Sequence, residues 1–288
     1  MSNRILVTQP IDADGCALLE AAGFTLDIWP GPEPIPHGEL VERVRGCVGL
    51  LSMLTDQIDE AVLDAGDLRV IAQHAVGINN IDLQAVHDRG IGLAHTPGVL
   101  TNATADLAFA LILAVGRRIV ESDQYVRSGA WRGWAPTLMR GLELDGSVLG
   151  IVGKGRIGDA LAVRAEAFGM RIIHHNRSSG VPLEELLERS DVVSLHCPLT
   201  SDTRHLIDAQ AFQRMKQSAI LINTARGPVV DEDALVQALN QGDISGAGLD
   251  VFEGEPEVHA GLLQSSKVVL LPHIGSATWR TRKVMAEM

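Results

Sequence analysis

The chain has 288 residues, 46% of them apolar, and a formal net charge of −12. That length accommodates two domains with full cores, and the apolar residues fall in short runs separated by glycines, well below the ~20 in a row that a membrane span needs. The acidic balance, with no basic face, excludes a nucleic-acid backbone as a general partner, so any anion must be held by a few local residues.

The start, MSNRILVTQP, enters a strand-like run at once and has no signal-peptide core, so a cytoplasmic protein is expected. Cys16, Cys47 and Cys197 are scattered, without metal spacing; they read as reduced thiols, and no metal is expected.

Through the first hundred residues, ILVTQ (5–9), FTLDIW (24–29), CVGLLSM (47–53), LRVIAQH (68–74) and IGLAHT (91–96) have strand length and composition. The stretches between them, such as GCALLEAAG and GELVERVRG, carry helical spacing. Alternation of this kind predicts a parallel sheet with helices on both faces. TNATADLAFALILAVGRRIVESDQYVRSG (101–129) reads as one long apolar-faced helix. A second alternating series follows: SVLGIVG, RIIHHN, DVVSLHC, AILINTA, ISGAGLDV and KVVLLPH. DEDALVQALNQG, with acids at its start and Gly242 past its end, supplies one of the intervening helices. The fold class expected is α/β, two doubly wound parallel-sheet domains joined by the long helix. PGPEPIPHG (30–38) is expected to be a surface loop.

The second series opens on VLGIVGKGRIG (148–158), where an apolar strand runs into Gly153-Lys154-Gly155-Arg156-Ile157-Gly158. This is a dinucleotide-binding fingerprint in its proper strand-to-helix setting. Gly153 permits the tight turn, Gly155 lets the backbone approach a pyrophosphate, and Gly158 allows close helix–strand packing. In NTARGPVVDEDAL (223–235), GLDVFEGEP (248–256) and LPHIGSAT (271–278), a polar residue stands at the C-terminal end of a strand, where open α/β sheets bind ligands. Arg226 is a fixed-charge fork suited to a carboxylate and an adjacent carbonyl, and Glu255 and His273 suit an acid–base pair.

QHAVGINNIDL, HTPGVLTNATADLA, GKGRIG, HCPLTSDTRHLI, NTARG, DVFEGEP and PHIGSAT together cover nearly the whole chain. The series resembles the D-isomer-specific 2-hydroxyacid dehydrogenase family, closest to its glyoxylate/hydroxypyruvate reductase branch. The resemblance implies a flavodoxin-like substrate domain (1–98 plus 279–288), a Rossmann dinucleotide-binding domain (99–278) and an active site between them. It implies that Arg226 binds a small 2-oxo acid, that His273 protonates the carbonyl oxygen and that Glu255 orients His273. The N–H groups around Ala75, Val76 and Gly77 are implied to hold the substrate carboxylate. Thr104, Pro198, Thr203, Thr224, Ala225, Asp250 and Gly275 match positions that line the cofactor, Asp250 at the nicotinamide end. WRGWAP (131–136) resembles a dimer-contact segment, so a homodimer is expected. SMLT (52–55) and the tryptophans are candidates for the substrate-pocket walls. The chain ends at RTRKVMAEM, inside what resembles a helix that continues for a few more turns.

At the end of RIIHH, where an acid would hold the ribose hydroxyls of NAD, the chain has Asn176, Arg177 and Ser178. An acid there would repel a 2′-phosphate; Asn176 removes that repulsion, Arg177 offers a charge-assisted fork and Ser178 a hydroxyl. NADP(H) is therefore expected over NAD(H), in the reduction of glyoxylate, hydroxypyruvate or a similar acid to the D-2-hydroxy acid. His174 and His175 read as strand residues, and Lys154 adds positive charge near the phosphates. The alternative is a nucleotide-sensing binding protein, because the family resembles certain transcriptional corepressors; turnover of glyoxylate with NADPH separates the two.

Overall fold

A computed structural model of the protein describes residues 2–288. The chain divides into two compact units, residues 1–100 with 276–288, and residues 101–275.

In the first unit, β1 (Arg4–Val7), α1 (Ala13–Ala21), β2 (Thr25–Ile28), α2 (His37–Arg43), β3 (Gly49–Ser52), α3 (Glu60–Ala65), β4 (Val70–Gln73), α4 (Leu83–Asp88) and β5 (Gly92–Ala94) alternate along the chain. The five strands are parallel in the order β2-β1-β3-β4-β5, the flavodoxin-like arrangement. Leu6, Leu50 and Ile71 from the strands meet Leu40, Val62 and Val86 from the helices in one buried cluster. Asp59 and Asp82 start α3 and α4 by accepting the Val62 and Ala85 N–H groups, which a helix start otherwise leaves unpaired.

The second unit begins with α5 (Thr101–Gly116) and α6 (Ile119–Arg127). The single helix expected over 101–129 is therefore broken. Ala105, Ala108, Leu111 and Ile112 bury one face of α5, whereas α6 buries none of its residues. At the break, the Gly116 carbonyl accepts the Leu142 N–H at 2.7 Å, where a continuing helix would give it Val120, and Arg118 takes φ 52°.

Next come β6 (Val148–Val152), α7 (Arg156–Ala167), β7 (Arg171–Asn176), β8 (Ser179–Gly180), α8 (Leu183–Arg189), β9 (Val192–Leu195), α9 (Ala209–Arg214), β10 (Ile220–Asn223), α10 (Glu232–Gln241), β11 (Gly246–Leu249), α11 (Ala260–Leu263) and β12 (Val268–Leu270). The sheet order is β12-β11-β10-β9-β6-β7-β8, parallel except for the two-residue β8, which the sequence had not suggested. Strands β9, β10 and β11 are buried at every position, which explains why VVSL, ILIN and GAGL are nearly continuous runs of small and apolar residues. The order reverses around β6, whose C-terminal end carries the glycine turn.

Helix α12 (Trp279–Glu287) completes the first unit by packing on α1, so closely that a Cβ on Gly15 would lie 2.5 Å from the Ala286 carbonyl oxygen. No helix among the described residues is long and apolar enough to cross a membrane.

Candidate active site

The glycine turn is built as the fingerprint requires. Gly153 has φ 87°, and a Cβ there would lie 2.4 Å from the Cys197 nitrogen, so two strand ends meet backbone to backbone. Gly158 brings α7 onto β6: its Cβ would stand 3.0 Å from Ile151 Cγ2. Gly155 is different. A Cβ there meets no protein atom within 4 Å and φ is −108°, so neither packing nor backbone conformation calls for glycine. Open space at the N-terminus of a twelve-residue helix fits the approach of a pyrophosphate. Ile157 packs on the core below, while Arg156 is exposed.

Asn176, at the end of β7, clasps this turn. Its Oδ1 accepts the Lys154 N–H at 2.7 Å, and its Nδ2 donates to the Lys154 carbonyl at 3.3 Å and to Ser179 Oγ at 3.3 Å. A carboxylate could take the first of these bonds but would face the Lys154 carbonyl without a proton to donate. Lys154 Nζ pairs with Asp159 in α7 at 2.6 Å, which gives its charge a local partner. Arg177 and Ser178 form the exposed tip of a hairpin between β7 and β8, and Arg177 Nη2 reaches Asp202 Oδ2 at 3.1 Å. His175 Nδ1 lies 2.9 Å from the Val181 carbonyl, within the same hairpin.

Other positions matched to the cofactor have mixed settings. Thr203 Oγ donates to the Pro198 carbonyl at 2.7 Å and Thr104 Oγ to the Gly275 carbonyl at 3.1 Å, so both hydroxyls brace loops. Thr224, beyond β10, is buried, and its hydroxyl has no hydrogen-bond partner among the described residues. Its orphaned oxygen and the open face of Gly155 both fit a bound dinucleotide. Asp250 is buried; its Oδ1 accepts the Ile274 N–H at 2.8 Å, so it fixes the backbone around His273 and Gly275. Burial raises the Asp250 pKa, against that hydrogen bond and the nearby His273.

Arg226, Glu255 and His273 all belong to the second unit. Glu255 bridges two partners: Oε1 accepts the Phe252 N–H at 2.9 Å, and Oε2 lies 2.8 Å from His273 Nδ1. Burial acts to raise the Glu255 pKa. The His273 hydrogen bond and charge, the Phe252 N–H and Arg226 outweigh it, so the carboxyl sits below its ordinary value. With Nδ1–H given to the carboxylate, Nε2 is the ring atom left to serve a reacting oxygen. His273 itself has φ 53°, a left-handed conformation that costs a non-glycine residue on the order of 1–3 kcal/mol and that the Asp250 contact to the next residue helps to hold.

Arg226 follows the Thr224-Ala225 turn. Asn223, 1% exposed, secures that turn by accepting the Ala225 N–H at 3.0 Å and donating to the Arg226 carbonyl at 2.9 Å. Burial lowers the Arg226 pKa and Glu255 opposes it. Asn223 and Asp202 were not singled out in the sequence. The available signal was weak: a polar residue ending an apolar strand, and an acid in the loop after β9.

Ala75, Val76 and Gly77 follow β4 in the first unit. The Ala75 N–H already donates to the Gln73 carbonyl at 2.8 Å, and the Val76 carbonyl faces His95 Nδ1 at 3.0 Å. Ser52, within SMLT, is fully buried and donates to Gln73 Oε1 at 2.6 Å, so it supports that loop from below. Trp29 packs over Arg43, its ring centroid 5.1 Å from the guanidinium carbon, while Trp131, Trp134 and Trp279 are exposed. Among the described residues no group of three or more His, Cys, Asp or Glu could hold a metal ion.

Comparison with known proteins identifies the family. The profile of the D-isomer specific 2-hydroxyacid dehydrogenase NAD binding domain matches residues 109–275. The chain is 48% identical over 304 residues to a glyoxylate reductase of Thermococcus litoralis, covering all of this chain and 92% of that protein. It is 49% identical over 302 residues to one of Korarchaeum cryptofilum, covering all of this chain and 91% of that protein. Among solved structures, a protein of Thermus thermophilus superposes with TM-score 0.94 at 48% identity, over 99% of this chain and 93% of that one. The NADPH-dependent glyoxylate/hydroxypyruvate reductase of Sinorhizobium meliloti, solved with NADP and malonate, gives TM-score 0.87 at 34% identity, over 100% and 91%. The chain belongs to the D-isomer specific 2-hydroxyacid dehydrogenase family and is an NAD(P)-dependent oxidoreductase.

Proposed function

We propose that the protein reduces a small 2-oxo acid, glyoxylate or hydroxypyruvate, to the D-2-hydroxy acid with NADPH as the preferred reductant. The observation that carries this reading is the Glu255–His273 hydrogen bond at 2.8 Å beside the charge of Arg226. The nicotinamide, when bound, supplies a hydride to the 2-carbon. His273 gives a proton from Nε2 to the carbonyl oxygen, and Glu255 stabilises the imidazolium that must be present beforehand. Arg226 binds the substrate and stabilises negative charge developing on that oxygen.

Preference for NADPH rests on Asn176, Arg177 and Ser178 standing where a ribose-binding acid would exclude a 2′-phosphate. Relatives named glyoxylate reductase, and a structural neighbour named NADPH-dependent, support the same reading. A second copy of the chain is part of it: α6 exposes Ile119, Val120 and Val126, and Trp134 is 84% exposed.

The test is oxidation of NADPH and of NADH in the presence of glyoxylate, hydroxypyruvate and pyruvate. Turnover fastest with NADPH and the first two acids is expected. Tight cofactor binding without turnover of any 2-oxo acid would instead favour the nucleotide-sensing alternative.

A further inference from the structure

Glu232 opens α10 and is 6% exposed, although it is a carboxylate. Such residues are rarely buried without a specific partner. Here the partner is a peptide N–H: Glu232 Oε1 accepts from the Glu253 nitrogen at 2.8 Å, and the N-terminus of α10 favours negative charge at that place. Burial raises the Glu232 pKa; the Glu253 N–H and His259 act the other way, and the Glu253 and Asp233 charges add to the rise. Glu253 is itself engaged, its carboxylate 2.5 Å from His205 Nε2.

The Phe252–Glu253 peptide and the N–H just before it are thereby fixed at three points. Its Glu253 N–H is held by Glu232. The preceding N–H, of Phe252, is held by Glu255 at 2.9 Å. Its carbonyl face lies on Gly227, where a Cβ would come within 1.9 Å of the Phe252 carbonyl carbon and oxygen and 2.4 Å of the Glu253 nitrogen. Gly227 directly follows Arg226, so the two loops that carry Arg226 and Glu255 abut through this one peptide.

We propose that Glu232 is a positioning residue for the acid–base pair: by holding the Glu253 N–H it fixes the Phe252–Glu253 peptide, and so keeps the Glu255 carboxylate on the His273 imidazole. The inference rests on the function proposed above. Without Glu232 the peptide loses the restraint on its N–H, and Glu255, bonded to the N–H of the adjoining Val251–Phe252 peptide, moves with it. The charged groups facing the pair are Arg226 and Asp250, and neither is displaced directly by a change at Glu232.

Glu232→Ala, Glu232→Asp and Glu232→Gln decide the matter, assayed with glyoxylate and NADPH across pH. Ala, and Asp with its shorter reach, should lower kcat by about 10- to 100-fold, the scale of an ångström-sized misplacement. Their KM for NADPH should stay near the parent value, and the basic limb of the reduction profile should move to lower pH as the imidazole loses its carboxylate. Glu232→Gln keeps an oxygen for the Glu253 N–H and should stay within about threefold of the parent, the weight of a modest hydrogen-bond change. In the cofactor-free protein, hydrogen exchange at the Phe252 amide should quicken in Ala and Asp but not in Gln. If Ala does not fold, Asp carries the comparison. An unmoved basic limb in the folded Ala or Asp variant, or a Gln variant as damaged as Ala, overturns the inference. Glu255→Gln serves as the reference. If its limb moves while those of Ala and Asp do not, only the role of Glu232 fails; if its limb also stays, the acid–base reading itself fails.

Discussion

Arg177 Nη2 lies 3.1 Å from Asp202 Oδ2, so the arginine proposed to read a 2′-phosphate holds a carboxylate of the loop after β9. Both side chains are largely exposed, which makes the pair weak, and a phosphate with nearly two negative charges competes well for the guanidinium. Arg177→Ala should raise KM for NADPH by an amount equivalent to roughly 1.5–3 kcal/mol and leave KM for NADH nearly unchanged. Asp202→Asn should lower KM for NADPH. Equal weakening toward both cofactors in Arg177→Ala would show that Arg177 does not read the phosphate.

Asn176 tests the same preference from the opposite side. In Asn176→Asp the carboxylate can still accept the Lys154 N–H but repels both the Lys154 carbonyl and a 2′-phosphate. Selectivity, taken as the ratio of kcat/KM with NADPH to that with NADH, should fall by at least about tenfold, since the change removes one compatible charge state and adds a like charge. A ratio that does not move would place the source of selectivity elsewhere.

His273→Asn should lower kcat for reduction by a factor on the order of 10²–10⁴, the usual worth of a positioned general acid. NADPH binding followed by fluorescence should change little. A variant with near-parent kcat would assign the proton to another group.

Glu255 gives a pH prediction with a definite sign. Its carboxyl sits below the ordinary value because His273, Phe252 and Arg226 outweigh the effect of burial. The stabilisation it supplies is therefore complete above the ordinary carboxylate range and is lost as pH falls through the lowered value. In Glu255→Gln this acid-side loss of stability should shrink, and the basic limb of reduction should move to lower pH because the charge favouring imidazolium is gone. Thermal melts and pH–rate profiles of the two proteins measure these effects separately. A basic limb that stays in place would break the proposed pairing.

Two histidines set a second pH dependence. Burial, and for His74 also the charge of Arg282, lowers the pKa of His74 to about 4, and burial lowers that of His196 to about 4. The unfolded chain takes up these protons as pH drops below about 6.5, whereas the folded chain does not until near 4. Stability should therefore fall across that window and level off below it, by roughly 3 kcal/mol for each histidine. His74→Gln should flatten part of the slope in denaturant titrations at pH 7, 5.5 and 4.5. An unchanged slope would mean that His74 is solvated.

The sequence alone determined the alternation of strands and helices, the glycine turn and the three side chains at the ends of β10, β11 and β12. These features are written locally: hydrophobic period, capping acids and glycines act over a few residues, so a short window contains the whole cause. DEDALVQALNQG shows this well, with Asp231 capping α10 through the Ala234 N–H and Gly242 closing it at φ 79°. The tertiary structure decided what depends on partners distant along the chain. TNATADLAFALILAVGRRIVESDQYVRSG has no proline to stop it, and the break after Gly116 arises because Leu142 takes its carbonyl. Arg177 finds Asp202 across 25 positions and Glu253 finds Glu232 across 21, pairings fixed only when the strands that carry them are laid side by side. Local pattern selects the elements; which backbone N–H or charge lies opposite a given side chain is settled by sheet order and close packing, because no short segment contains both partners.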